Sequence, residues 1–368
     1  LISKITNPLN NTTPVANIIE GNDPAAQPAA GIVCVDEDSS GQRVDNFLMR
    51  LLKGVPKTHI YRVIRSGEVR VNKGRVTADS RVQTGDLVRV PPMRVSQRAQ
   101  NKQQDRVEHA ARVPARAFTV LLEDDHLLAL DKPAGVAVHG GSGVSFGVIE
   151  QLRMARPQAH FLELVHRLDR ETSGILLVAK KRSALKHLQE QFRQRQTGKT
   201  YLAVVRGTWP AKLKVLDKPL HKYLVDNGQA QAGERRVEVV SKDDPDGMPA
   251  LTLVKVRATT PDYSLLEVTI KTGRTHQIRV HLASAGYPIL GDDKYGDFEL
   301  NKTLARASAQ PGLQRMFLHA WRLQLHHPVS GEGLELMADL APELARFAQA
   351  VFSDACTGPL PTCKSTQP

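Results

Sequence analysis

The chain has 368 residues, with 50 Lys+Arg against 38 Asp+Glu and a formal net charge of +12. That is long enough for two domains with sizeable cores, and basic enough to favour a polyanionic partner. Three cysteines, Cys34, Cys356 and Cys363, are too few and too scattered for a disulfide framework or a zinc site. No apolar run approaches the ~18 residues of a membrane span and no signal peptide is visible, so a cytoplasmic protein without membrane contact is expected.

The charge is unevenly spread. Residues 1–40 sum to −4, residues 41–116 to +11 and residues 117–368 to +5. One short module therefore carries nearly all the excess. Residues 1–30 have no periodicity and read as a disordered leader. Residues 31–92 read as a small folded unit, with Ile32 to Val35 placed to add an edge strand. Val44, Phe47, Leu48, Leu51 and Leu52 share one face of a first helix. Ile60, Val63 and Ile64 mark a second helix, whose other face carries Lys57, Arg62 and Arg65 and which Gly67 is placed to end. Val69 to Val71, the turn Asn72-Lys73-Gly74 and Arg75-Val76 read as a hairpin, and Leu87 to Val90 as a further strand.

This order of elements resembles the S4 RNA-binding domain. The resemblance implies that Arg43, Lys57, Arg62, Arg65, Lys73 and Arg75 meet RNA. The competing reading is a soluble mini-domain with solvated charges, which the clustering of charge disfavours. Residues 93–116, rich in Gln and Arg, read as a basic linker.

From 117 to 353 the chain reads as a folded α+β domain: a mixed, largely antiparallel sheet with flanking helices. Phe118 to Leu122 and Leu127 to Leu130 are strands, followed by Asp131-Lys132-Pro133-Ala134-Gly135. The Gly-rich run from Val138 to Gly143 is followed by no GK[ST] and holds no GxGxxG. Gly198-Lys199-Thr200 lacks the Walker glycine, position 193 being Arg193. Nucleotide triphosphate chemistry is disfavoured. Ser183 is expected to cap a helix with Leu185, Leu188 and Phe192 inward and Gly198 at its end. Lys199 to Val205, Leu251 to Val256, Tyr263 to Ile270 and Met316 to His326 read as strands, and 207–250 as turn-rich. A helix is expected from about Thr275 to Ala285, with Ile278 and Leu282 as its apolar strip and Gly286 ending it. Residues 342–352 form a last helix and 354–368 a tail.

Val165 to Lys180 is the stretch that carries chemistry. Asp169 lies in a polar turn between Arg167 and Arg170, just before the buried run Ile175 to Val178. Cations near a carboxylate favour its ionised form, and an ionised carboxylate acts as nucleophile or base. A surface ion pair closing a turn would use the same residues.

Three motifs in order, HRLDRETSGILLVAK at 166–180, KTYLAVV at 199–205 and TGRTHQIRVH at 272–281, resemble the RluA/RluC/RluD family of RNA pseudouridine synthases. AVHGGSGVSFGVIE at 137–150 looks most like the RluC branch. The resemblance implies Asp169 as catalytic carboxylate, Tyr201 as active-site tyrosine and Arg274 as the arginine paired with Asp169. It also implies isomerisation of uridine to pseudouridine at several positions of 23S (large-subunit) rRNA or its precursor, with Arg167 among the RNA contacts. No cofactor and no metal are expected, and the protein is expected to act as a monomer. His166, His276 and His281 are expected in structural or RNA-backbone roles. Two other classes stand beside this reading. One is a catalytically idle RNA-binding or ribosome-assembly factor. The other is a glycosidic hydrolase, which would need a second carboxylate beside Asp169.

Overall fold

The computed structural model describes residues 30–52, 55–92, 115–140, 146–225, 234–306, 311–353 and 355. Nearly all of the expected leader, linker and tail, together with Cys356 and Cys363, lies outside them. The chain divides into two units, Leu1–Pro114 and Ala115–Pro368.

In the first unit, helix α1 (Val44–Leu51) buries Val44, Phe47 and Leu48, with Leu52 buried just beyond its end. Leu51 is only half-buried. Helix α2 (Lys57–Arg65) buries Ile60, Val63 and Ile64, while Lys57, Arg62 and Arg65 stay exposed. Gly67 follows with φ +76°, the left-handed conformation that ends a helix cheaply only at glycine. Strands β1 (Gly31–Cys34), β2 (Arg70–Val71), β3 (Gly74–Arg75) and β4 (Leu87–Val90) form an antiparallel sheet in the order β1-β4-β2-β3. The β2–β3 turn puts both Asn72 (φ 49°) and Lys73 (φ 67°) in the left-handed region, as the twist of a two-residue hairpin requires. The Asn72 side chain holds that geometry, accepting from Leu87 N at 2.9 Å and donating to Asp86 at 2.8 Å. One apolar core joins both helices to the sheet.

The second unit is built on a ten-stranded sheet. Its strands are β5 (Thr119–Glu123), β6 (Leu127–Lys132), β7 (Glu163–Leu164), β8 (Ser173–Ala179), β9 (Gly198–Arg206), β10 (Val215–Asp217), β13 (Leu251–Thr259), β14 (Tyr263–Ile270), β15 (Leu318–His326) and β16 (Gly333–Met337). The order is β10-β13-β14-β9-β15-β8-β6-β5, with β16 on β15 and β7 on β8. Every pairing is antiparallel except β8 with β15, which is parallel. Strands β11 (Leu220–Val225) and β12 (Glu234–Val239) make a separate hairpin. Helices α3 (Val148–Ala155), α4 (Arg182–Arg193), α5 (Gln277–Ser284), α6 (Phe298–Leu304) and α7 (Pro342–Phe352) complete the unit.

Strand β8 is buried along its whole length. Ile175, Leu177 and Ala179 pack into one core cluster and Leu176 and Val178 into another, which is why the sequence there runs apolar without alternation. Gly174 (φ +107°) passes so close to β15 that a Cβ would overlap the Ala320 carbonyl.

Some expectations change. Helix α4 begins after Lys181 without a side-chain cap and stops at Arg193, because Arg195 turns left-handed (φ 59°); Gly198 opens β9 instead. Helix α5 starts at Gln277, since His276 is also left-handed (φ 52°). Ile278 and Leu282 pack into one core cluster as expected, but Gln277, Arg279, Val280 and His281 are buried too, so the helix meets solvent only at its C-terminal end. The turn-rich 207–250 contains β10, β11 and β12.

Strands β8 and β15 enclose a buried polar chain. Arg315 Nη2 donates to Ser173 Oγ (2.5 Å), Ser173 Oγ lies 2.8 Å from His319 Nδ1, and His319 Nε2 lies 3.1 Å from Ala338 O. Both bonds are satisfied by a neutral imidazole that accepts at Nδ1 and donates at Nε2. Burial pushes His319 down to about 4. The unfolded chain therefore takes up a proton between pH 6.5 and 4 that the folded chain refuses, so stability is full above 6.5 and falls as pH drops through this window. At about 1.4 kcal/mol per pH unit, this one group costs roughly 3 kcal/mol by pH 4. Urea unfolding at several pH values should show that loss in the wild type and a shallower one in His319→Gln.

Candidate active site

Asp169 sits in the turn between β7 and β8, and that turn is pinned at both ends. Upstream, Val165 N donates to Leu177 O (3.1 Å) and Leu177 N donates to His166 Nε2 (3.1 Å). Burial pushes His166 down to about 4, consistent with a neutral acceptor. Leu168 points into the core. Downstream, Thr172 N donates to Asp169 O (3.2 Å) and Gly135 N to Arg170 O (2.9 Å). Beneath the turn lies Lys132, with no exposed surface. Its Nζ donates to the carbonyls of Pro133 (2.8 Å), Val136 (2.8 Å) and Arg170 (3.0 Å), stapling the 133–136 loop to the Asp169 turn. Burial lowers this lysine to about 7, against the opposing charge of Glu171.

A cavity of about 250 Å³ opens in front of Asp169. One wall is β9, where Tyr201 and Lys199 point the same way by the period of two. Burial, and then the charge of Asp169, raise the Tyr201 phenol above its usual value, so it stays protonated. Phe192 extends this wall, stacked on His166 with centroids 5.0 Å apart and lying 5.6 Å from Lys199 Nζ. The opposite wall is the turn 272–276 and the start of α5. Gln277 shapes it: its Oε1 accepts from Thr272 Oγ1 (2.7 Å) and Arg274 N (3.1 Å), while its Nε2 donates to Leu251 O and Thr252 Oγ1.

Two cationic or ionisable groups on that wall face Asp169. Arg279, 3% exposed, makes a bidentate pair with fully buried Asp292, with both bonds at 2.7 Å, and reaches Asp293 at 3.0 Å. Its remaining nitrogen, Nη1, lies 3.6 Å from Asp169 Oδ2. Burial disfavours the guanidinium charge, but the hydrogen bonds and charge of Asp292, with Asp169 and Asp293, outweigh it and leave the cation secure. His276 Nε2 lies 4.0 Å from Asp169 Oδ1, and its Nδ1 lies 2.9 Å from Tyr295 Oη. Because Tyr295 Oη accepts from Val237 N (3.1 Å), its own proton is free for Nδ1. That pattern assigns the imidazole N–H to Nε2, facing the carboxylate. Burial lowers His276, opposed by Asp169.

Residues 126–284 match the family model described as RNA pseudouridylate synthase, and residues 42–88 match the S4 domain. The "Ribosomal large subunit pseudouridine synthase C" of Escherichia coli K12 is 49% identical over 322 residues, covering 88% of this chain and 97% of that protein. That of Pasteurella multocida is 47% identical, with 88% and 94% covered. The chain belongs to the RNA pseudouridine synthase family. Among solved structures, "Human RNA Pseudouridylate Synthase Domain Containing 4" aligns with a TM-score of 0.50 at 26% identity, over 68% of this chain and 97% of that one.

In this synthase Asp169, Tyr201, Arg167 and Arg274 all line one cavity. The pairing expected of Arg274 is not the one observed. Arg274 precedes α5, and its Nε donates to Pro249 O at 3.2 Å. The guanidinium that ion-pairs with Asp169 is Arg279, one helical turn beyond His276 and on the same face. The motif TGRTHQIRVH holds both arginines, and the pairing of Arg279 with Asp292 that separates them is a tertiary contact. Among the described residues Asp169 is the one carboxylate lining the cavity, and Glu171 is engaged by Arg170 at 2.8 Å, so the paired acids of a hydrolase are missing there. His281 is structural, held by Thr252 and the Lys218 carbonyl. Potential ligand atoms of His221, Asp244 and Asp246 lie within 4.8 Å of one another, but none of these residues lines the cavity.

In the S4 unit Lys57, Arg62, Arg65, Lys73 and Arg75 are exposed, and among the described residues none is ion-paired with a carboxylate. Arg43 differs: it pairs with buried Asp45 at 2.7 Å.

These positions separate the two arginines experimentally. Replacing Arg279 with Leu strands buried Asp292 and should cost about 3–5 kcal/mol in urea unfolding. Arg274→Ala removes a single carbonyl contact and should cost about 1 kcal/mol or less.

Proposed function

We propose that this synthase isomerises uridine to pseudouridine in large-subunit ribosomal RNA, with Asp169 as the catalytic carboxylate. The observation that carries the reading is Asp169 itself, held in a small cavity between Arg279, His276 and the Tyr201 ring. The names borne by the relatives in Escherichia coli and Pasteurella multocida support the choice of RNA.

The reaction breaks the C1′–N1 bond, turns the uracil and joins C1′ to C5; the C5 hydrogen leaves as a proton and N1 ends protonated. Atoms and electrons balance without any oxidant, reductant or nucleotide. A uridine inside folded RNA cannot reach the cavity, so it is flipped out of its stack. Tyr201 then offers a face for the flipped base, a contact of roughly 1–3 kcal/mol by analogy with stacking platforms. Arg279 fixes the direction of the Asp169 carboxylate, and Arg167 and Arg274 guide the RNA strand at the cavity wall. Lys57, Arg62, Arg65, Lys73 and Arg75 of the S4 unit hold the RNA through phosphates and shape, with Arg43 contributing less because Asp45 shares its charge. The synthase acts as a monomer on several uridines, in the cytoplasm, where ribosomal RNA is found.

Tritium release from rRNA labelled at uridine C5 reads the isomerisation directly, because C5 loses its hydrogen only on joining the ribose. Wild type should release tritium and Asp169→Asn should not, with RNA binding retained in both. No release by the wild type, despite salt-sensitive binding, would leave an idle RNA-binding factor. Changing Lys57, Arg62, Arg65, Lys73 and Arg75 together to Gln should flatten the plot of log affinity against log salt by roughly 3.5–4.5. An unchanged slope would remove these residues from the RNA contact.

A further inference from the structure

The second unit has another, larger cavity. Alternate residues of β9 pack on different helices: Leu202 and Val204 with α7, and Ala203 and Val205 with α5. The two helices therefore cover opposite faces of the sheet. On the α7 face a cavity of about 890 Å³ lies between that helix and the chain before β15. Among the described residues three arginines line it, Arg306, Arg315 and Arg346, against one carboxylate, Glu343. Glu343 is already taken by Arg315 at 2.9 Å. Arg306 and Arg346 are exposed, and among the described residues no carboxylate pairs with either.

Arg315 links this cavity to the catalytic turn. Its other nitrogen donates to Ser173 Oγ at 2.5 Å, and Ser173 is the first residue of β8, four after Asp169. Four residues of chain span at most roughly 13–14 Å. Because β8 and β15 are parallel, with Ser173 opposite His319, the Asp169 turn and the Arg315 segment enter the sheet at the same end. An RNA strand leaving the catalytic cavity round that end would pass from one face of the sheet to the other and run toward the arginines.

We propose that this cavity holds backbone phosphates of the RNA strand flanking the target uridine, with Arg306 and Arg346 as their ligands. The inference rests on the RNA-isomerase reading above. Phosphate is the group recognised: guanidinium groups suit phosphate oxygens, and phosphate contacts make up the larger share of hydrogen bonds to a nucleic-acid strand.

The test uses the full chain with unmodified large-subunit rRNA. Arg306→Gln/Arg346→Gln should raise KM for tritium release and leave kcat unchanged. It should also reduce the slope of log affinity against log salt by about 1.4–1.8, the share of two phosphates. A control, Lys212→Gln/Lys255→Gln, removes the same charge from exposed positions outside the cavity and should change the slope little. Equal slopes for the wild type and the arginine variant would overturn the proposal, as would an equal fall in the control, which would mean a diffuse field. Binding slopes are read independently of turnover. A wild type that binds but releases no tritium would sink the isomerase reading, and the flanking-strand assignment with it. A wild type that turns over, beside an arginine variant with unaltered KM and slope, would sink only this one.

Discussion

The direction of the Asp169 carboxylate is fixed by Arg279. A buried guanidinium is costly unless its donors are satisfied in good geometry. Asp292 meets that need with two bonds at 2.7 Å and is itself held by the backbone N–H groups of Lys294 (2.8 Å) and Tyr295 (3.0 Å). With two nitrogens committed to Asp292, the plane of Arg279 is set, and Nη1 has one place to point. Asp169 stands there. The Tyr295 ring, 5.2 Å from the guanidinium carbon, adds a cation–π contact and passes its hydroxyl to His276. The 292–295 loop thus aims both groups that face the carboxylate.

This arrangement explains features that would otherwise look unfavourable. His276 is in the left-handed region, at a cost of order 1–3 kcal/mol for a non-glycine residue. The strain turns the chain sharply into α5 and brings the imidazole and Arg279 onto the same wall. Helix α5 is buried on every side, and carries charge into that interior because the charge is paired. Lys132 plays the complementary part on the Asp169 side: its buried Nζ, with three carbonyl acceptors, holds the turn by its backbone and leaves the Asp169 side chain facing the cavity. The carboxylate is fixed from below by a lysine and from across the cavity by an arginine.

The two units divide the work by charge. The S4 unit pairs few of its cations, so its surface stays positive, and its fold needs only one small core. The second unit spends many of its charges on internal pairs, such as Arg279 with Asp292 and Arg156 with Glu123. Binding a polyanion and holding a carboxylate among cations are competing demands on one surface, and separate modules avoid the conflict.

Much of the fold was legible in the sequence, for local reasons. The periodicities of α1 and α2 placed their buried faces, Leu87 to Val90 and Tyr263 to Ile270 coincide with β4 and β14, and the unbroken apolar run after Asp169 marked a strand covered on both faces. Asp169 and Tyr201 stood in motifs whose order survives as proximity in one cavity. The end of α4 and the start of α5 were not legible, because Arg195 and His276 adopt positive φ without being glycine, the residue that marks such positions in a sequence. The partner of Asp169 was hidden for a tertiary reason. TGRTHQIRVH offers two arginines, and nothing local distinguishes them. The choice falls to Asp292, thirteen residues beyond Arg279, which clamps one guanidinium and leaves the other on a backbone carbonyl. Local sequence determined which side chains were available; the packing of α5 against the 292–295 loop decided which of them meets the carboxylate.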